Sequence, residues 1–235
     1  MSTSWQTLAD HLFGPRHTIT ADGDFLSGTG SLDGRSIAVL GTTSHAAVGL
    51  ELALAQARVV LDTVARHPGR PLLLLVDTQG QRLRRREELL GLNRAMAHLG
   101  KAIDYARRQG HAVLGLVYDQ ALSGGFITSG LIADACDALP EAEIYVMRLP
   151  AMARITKLSE ATLRELSQTN PVFAPGAVNY LRMGGIRRLW EGDPTDALRH
   201  ALADLSPQDE RARDGNSRGG RRLAADVIQR VLDSV

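Results

Sequence analysis

The chain has 235 residues, 44% hydrophobic and 23% charged, with a formal net charge of +1. That length suffices for one large α/β domain with a substantial core, or for two small ones. The balanced charge supplies no global field for nucleic acid or a membrane surface, and no apolar run approaches the ~20 residues of a transmembrane helix, so neither partner is expected.

The first residues, Met1-Ser-Thr-Ser-Trp-Gln6, lack the basic start and apolar core of a signal peptide. Trp5, Leu8, Leu12 and Phe13 have helical spacing, ended by Gly14-Pro15. Residues 21–41 read as β structure about turns at Asp22-Gly23 and Asp33-Gly34, with the clearest strand at 36–40. Ala47, Leu50, Leu54, Ala57, Leu61 and Val64 alternate steps of three and four, which predicts one amphipathic helix from Ala46 to His67. The run 71–77 is apolar on both faces, as in a parallel strand covered by helices. A polar loop and a helix over 87–109 lead to a second branched, apolar run at 112–118. From Gly125 to Pro140 the chain reads as a helix packed into the core. It carries the single cysteine, Cys136, as a buried reduced thiol, which fits a cytoplasmic protein. A strand at 142–147 and a helix from Pro150 to about Leu166 follow. Pro171 and Pro175 bracket a turn, 177–183 is a short helix, and 184–190 is a strand or tight turn. The remainder is helical except for a polar stretch, 209–220, read as a mobile linker before a last helix at 223–232. Strands and helices alternate, so an α/β layered fold with right-handed crossovers is expected. The predicted organisation is a lead-in with a helix (1–19), a main domain (20–205), and a linker with a C-terminal helix (206–235).

Two strand ends carry the candidate chemistry: Asp77-Thr78-Gln79-Gly80 and Leu122-Ser123-Gly124-Gly125-Phe126. In layered α/β folds ligands gather outside the carboxyl ends of strands. A strand ending in two glycines that open a helix leaves unpaired N–H groups suited to an anion or a developing oxyanion. Glycine also lets a substrate carbonyl come close to the backbone. A Ser-Gly-Gly turn without any such role is equally familiar. Asp77 is a candidate general base, or else a helix cap or turn-stabilising side chain. Ser123 is a nucleophile only with a base in reach, and Lys157 is the only lysine downstream of it. His45 and His111 are acid–base candidates or structural histidines. No histidine, cysteine or carboxylate cluster has metal-site spacing, so no metal is expected. Arg82, Arg84, Arg85 and Arg86 crowd the start of a helix, where positive charge opposes the helix dipole. An unfavourable placement of that kind beside a candidate site suits phosphate or an acidic partner.

At these residues the sequence resembles a known superfamily. The segment from Pro71 to Gly80 is similar to the Asp-Thr-Pro-Gly segment of acetyl-CoA carboxylase carboxyltransferase alpha-type subunits. Leu122-Ser-Gly-Gly125 falls where that superfamily has its Gly-Ser-Gly-Gly oxyanion loop. A closer resemblance is to the gamma subunit of biotin-independent malonate decarboxylase. The strings Val76-Asp-Thr-Gln-Gly-Gln-Arg-Leu-Arg-Arg-Arg86, Asn93-Arg-Ala-Met-Ala-His-Leu99, Met152-Ala-Arg-Ile-Thr-Lys157 and Asn170-Pro-Val-Phe-Ala-Pro-Gly176 carry it. The similarity runs from about residue 20 to 192. Gln79 for proline and Leu122 for glycine depart from the carboxyltransferase pattern and weigh against biotin chemistry.

The resemblance implies a crotonase-like fold of repeated ββα units, like a C-terminal-type carboxyltransferase domain. It implies a heteromeric complex whose beta subunit completes the site, together with an acyl carrier protein subunit and an acyl carrier protein transferase subunit. The implied reaction turns a malonyl thioester on the carrier into the acetyl thioester and carbon dioxide. The substrate rides on a prosthetic group of the phosphoribosyl-dephospho-CoA type, and this chain binds no cofactor itself. Gly124 and Gly125 take the catalytic role by holding an oxygen. Gln79, Gly80, Leu122, Ser123 and Phe126 bind substrate, with Leu122 and Phe126 as a dry wall. Arg82, Arg84, Arg85 and Arg86 dock the carrier. Three rivals stay open: a biotin-dependent carboxyltransferase subunit, a crotonase-related serine peptidase using Ser123, and a non-catalytic scaffold.

Overall fold

Leucine- and valine-rich runs set the centre of the chain. The computed structural model describes residues 3–169, 176–206, 208–217 and 222–234. One sheet holds strands β1 (Thr20–Asp22), β2 (Phe25–Leu32), β3 (Arg35–Thr42), β4 (Ala46–Val48), β5 (Leu72–Gln81), β6 (Val113–Leu122), β7 (Ala135–Ala138) and β8 (Glu143–Tyr145). Its main path is β1-β2-β3-β5-β6-β7, antiparallel as far as β3 and parallel beyond it. β3 and then β4 pair along one edge of β5, and β7 and then β8 pair along the outer edge of β6. Each long central strand thus has two partners in succession along one edge. The fold is α/β and crotonase-like, as the resemblance implies.

Side chains alternate across the central strands. Leu73, Leu75, Leu114, Leu116 and Tyr118 join one core with α1 (Trp5–Phe13) and α9 (Pro194–Ala203). Leu72, Leu74 and Val113 join a second core with α2 (Leu50–Arg66) and α4 (Leu92–Arg108). Among the described residues no helix is long and apolar enough to cross a membrane.

Five elements differ from expectation, each for a local reason. The helix expected from Ala46 starts at Leu50, because 46–48 pairs with the end of β5. Its first turn has no side-chain cap of its own, and the buried Glu87 accepts the Leu50 N–H at 2.8 Å instead. The helix expected over 87–109 is two, α3 (Arg85–Leu89) and α4, separated by Gly91 in a left-handed conformation. The segment after Gly125 is a short α5 (Ser123–Phe126), a π turn (Ile127–Leu131) and then β7, so Cys136 lies in a strand. A short run apolar on all sides fits a buried strand as well as a helix, and periodicity does not separate them. The helix after Pro150 breaks at Lys157, φ 63°, into α6 (Leu149–Thr156) and α7 (Glu160–Thr169). Within the polar stretch, α10 (Arg211–Ser217) forms, anchored by Arg211 to the Ile132 carbonyl at 3.1 Å. The expected short helix is α8 (Ala177–Arg182), and the last is α11 (Arg222–Leu232). The turn expected between Pro171 and Pro175 lies outside the described residues.

Candidate functional site

Because β5 and β6 run parallel, with Thr78 beside Ala121, their carboxyl ends finish together. Gly80 has φ 98°, and a Cβ there would stand 3.1 Å from Ser123 Cβ. A Cβ on Gly125 would meet the Gly80 backbone, at 2.8 Å from its carbonyl carbon and 2.9 Å from its Cα. The two candidate loops are therefore one backbone-on-backbone contact that only glycine permits. Ser123 itself has φ 52°, a left-handed conformation that costs a non-glycine residue roughly 1–2 kcal/mol. The turn is fixed from behind: Thr128 and Ser129 each donate a hydroxyl at 2.7 Å, to the carbonyls of Gly124 and Gly125 respectively. The first N–H groups of α5 face out of the helix end. That of Gly124 donates to Gln81 Oε1 at 3.2 Å, so a carboxamide oxygen sits on the donor expected to receive substrate oxygen.

The other predicted residues divide. Leu122 is buried at the strand end, and Phe126 belongs to the core beneath, edge-on to Tyr180 with ring centroids 6.3 Å apart. Gln79 is exposed and turned toward the neighbouring loop, donating to the His45 carbonyl at 2.9 Å. Arg86 pairs with Glu51 at 2.7 Å and Glu87 at 3.1 Å, and its guanidinium holds the Glu51 carboxyl below the usual range. Arg82 is half-buried near Gly49. Arg84 and Arg85 are exposed and form no ion pair among the described residues, beside exposed Leu83, Leu89 and Leu90. Neither Lys157 nor a histidine hydrogen-bonds Ser123 among the described residues. His111 is structural: it is buried, and its Nδ1 faces the Arg70 carbonyl at 2.8 Å. Burial pushes the Cys136 thiol up, away from reactivity.

Sequence spacing missed a second polar group on the same strands. Val76 pairs with Val117 but Thr78 with Ala121, so β6 carries two extra residues opposite Asp77. Bulges re-aim side chains and recur beside sites. This one turns Asp119 to His45, 3.2 Å away, and buries Gln120, whose Oε1 accepts from Tyr145 and Arg148, each at 3.2 Å. Burial, then the neighbouring Glu143, pushes the Tyr145 phenol up to about 12. Asp77 is the turn-stabilising side chain, accepting the His45 N–H at 2.9 Å while Ser44 and His45 both have positive φ. Its carboxyl is pushed above the usual range, chiefly by desolvation. His45, Asp77 and Asp119 offer ligand atoms all within 4.8 Å of one another, although they have no metal-site spacing along the chain. The three come from three separate segments, a grouping that no motif spacing records.

A chain with this loop and sheet has solved relatives. A Pseudomonas malonate decarboxylase hetero-tetramer in complex with coenzyme A contains a chain 28% identical, with TM-score 0.81, covering 97% of this chain and 98% of that one. The Pseudomonas MdcD-MdcE hetero-dimer gives 29% identity and TM-score 0.75 at the same coverage. Transcarboxylase 12S, at 18% identity and TM-score 0.70 over 86% of this chain and 40% of that one, shares the fold alone. Malonyl-S-ACP:biotin-protein carboxyltransferase MADD of Malonomonas rubra is 36% identical over 175 residues, 68% of this chain. The chain spans 60% of that relative's length. The sequence profile of the malonate decarboxylase gamma subunit matches residues 43–235, which takes in both strand-end loops. The chain belongs to the malonate decarboxylase gamma subunit family.

Proposed function

We propose that this chain, with a beta-type partner subunit, decarboxylates a malonyl thioester carried on an acyl carrier protein. The observation that carries this reading is the Gly80–Gly125 contact, which presents the first N–H groups of α5 at the joined ends of β5 and β6. In the reaction the bond between C2 and the carboxylate carbon breaks and carbon dioxide leaves. The electron pair passes into the thioester as an enolate, and C2 then takes up a proton. Donors for an oxygen and a desolvated carboxylate suffice; no nucleophile is used. Gly124 and Gly125 hold that oxygen, and Gln81 Oε1 yields its place to it. Gln79, Gly80, Leu122 and Ser123 border the approach, with Phe126 as its floor. The coenzyme A bound in the Pseudomonas hetero-tetramer supports a thioester on a phosphate-bearing prosthetic group of the phosphoribosyl-dephospho-CoA type. The MdcD-MdcE pair supports the partner subunit. A carrier protein and its transferase complete the proposed assembly, in the cytoplasm.

The test is carbon dioxide release from malonyl-carrier by the chain co-purified with its partner; a pure, assembled complex without release would refute the reading. The Malonomonas relative favours a second one, transfer of the carboxyl group to biotin. Carboxylation of an added biotinylated protein, in place of release, would establish that alternative. Ser123→Ala is expected to keep at least roughly a tenth of wild-type turnover, since no serine nucleophile is involved. Inactivation with assembly intact would restore the peptidase-like reading.

Carrier docking rests on Arg84 and Arg85, because Arg86 is committed to Glu51 and Glu87. Exposed charges steer association and are screened beyond a Debye length of ~8 Å at physiological salt. Changing both to serine is expected to raise KM for malonyl-carrier roughly tenfold and flatten its salt dependence, leaving kcat near normal. Steady-state kinetics on the carrier and on a small malonyl thioester, across a salt series, provide the measurement. Equal losses on both substrates would move these arginines into the site or the subunit interface.

A further inference from the structure

Asp77 lies three residues before Gly80, about 10 Å along β5. There His45 Nε2 stands 3.2 Å from Asp119 Oδ2 and 3.6 Å from Asp77 Oδ1. Asp77 is 2% exposed. Its Oδ2 accepts the His45 backbone N–H, whereas Oδ1, on the side of the His45 imidazole, is buried without a hydrogen-bond partner. Buried oxygens left in that condition are rare and call for a cause. A proton on His45 Nε2 does not supply one. The nitrogen carries a single proton and Asp119 is the nearer acceptor, so that proton leaves Asp77 Oδ1 at 3.6 Å. A cation satisfies both carboxylates and the imidazole together.

We propose that His45 Nε2, Asp77 Oδ1 and Asp119 Oδ2 bind one divalent first-row transition cation. Ligand atoms ~2.1 Å from a shared ion lie about 3.0 Å apart at a right angle and about 3.4 Å apart at a tetrahedral one. The two separations from His45 Nε2 are close to that range, and all three residues offer ligand atoms within 4.8 Å of one another. The imidazole selects a transition ion over magnesium or calcium, which prefer oxygen alone, and the two carboxylates balance its charge. The group opens on a cavity of about 480 Å³ bordered by Thr43, Ser44 and Tyr118, which leaves the remaining coordination positions to water. Bound there, the ion ties the loop before β4 to β5 and β6 and fixes the strand that ends in Gly80.

The experiment uses the full-length chain, alone or co-purified with its partner, freed of metal with EDTA and titrated calorimetrically with Mn²⁺, Zn²⁺ and Mg²⁺. One equivalent of Mn²⁺ or Zn²⁺ is expected to bind and to raise the Tm, as a ligand of the folded state must. Mg²⁺ is expected to bind more weakly. His45→Ala and Asp119→Asn alter side chains that are 51% and 24% exposed, so the core stays intact. Each is expected to weaken binding by at least about tenfold and to remove most of the Tm rise. An absence of binding to the wild-type chain, wild-type affinity in either variant, or Mg²⁺ bound as tightly as Mn²⁺ would overturn the assignment.

Discussion

Gly125→Val is expected to reduce decarboxylation by the assembled complex by at least about 10²-fold, the typical cost of losing one oxyanion donor. The added Cβ meets backbone, not a side chain that can swing aside: Gly80 carbon atoms lie 2.8 and 2.9 Å from its position. To admit it, the ends of β5 and β6 must separate, and the N–H groups of α5 then lose their aim. Gly124→Ala supplies the internal comparison. The three atoms nearest its Cβ all belong to the end of the Gln81 side chain, the closest at 3.0 Å, and that chain can rotate away. Gly124→Ala should therefore assemble normally and keep more activity than Gly125→Val. Turnover of both variants, with size-exclusion chromatography to verify assembly, gives the measurement. Near-normal turnover by Gly125→Val would remove the loop from the reaction.

That contact also shows how far local patterns reach. The apolar runs at 71–77 and 112–118 identify the central parallel strands, because a strand buried on both faces needs branched side chains throughout. The two loops at their carboxyl ends were legible for the same reason. Their mutual contact was not, since Gly80 and Gly125 meet only once β5 and β6 are in register. Gln81 carries no such signal, because a glutamine in a polar stretch has no distinguishing pattern. Four neighbouring arginines read as one patch, yet Glu51 and Glu87 arrive from elsewhere in the chain and take Arg86 out of it. The four buried residues of β7 have no polar alternation to reveal a strand, so the run around Cys136 reads as helix. The His45, Asp77 and Asp119 group depends on a bulge, a property of pairing between strands that neither strand encodes alone.

The same β7 carries the residue whose loss is expected to cost most in stability. Asp137 is fully buried and accepts from Arg187 Nε at 3.1 Å, Arg187 Nη2 at 3.0 Å and the Trp190 indole at 2.9 Å. Arg187 also donates to the Ala201 carbonyl at 3.2 Å, so this one carboxylate joins the edge strand beside β6 to α9 and the α1 layer. Asp137→Ala leaves a largely buried guanidinium without its counter-charge, and breaking such a pair costs about 3–5 kcal/mol. Asp137→Asn keeps an acceptor and is expected to lose less. Arg66→Ala serves as the control: its partner Asp62 is exposed, and pairs of that kind contribute about 1 kcal/mol or less. Urea unfolding of the three variants, compared by midpoint at constant slope, orders them. A loss for Asp137→Ala no greater than that for Arg66→Ala would mean that apolar packing alone holds α9 to the sheet.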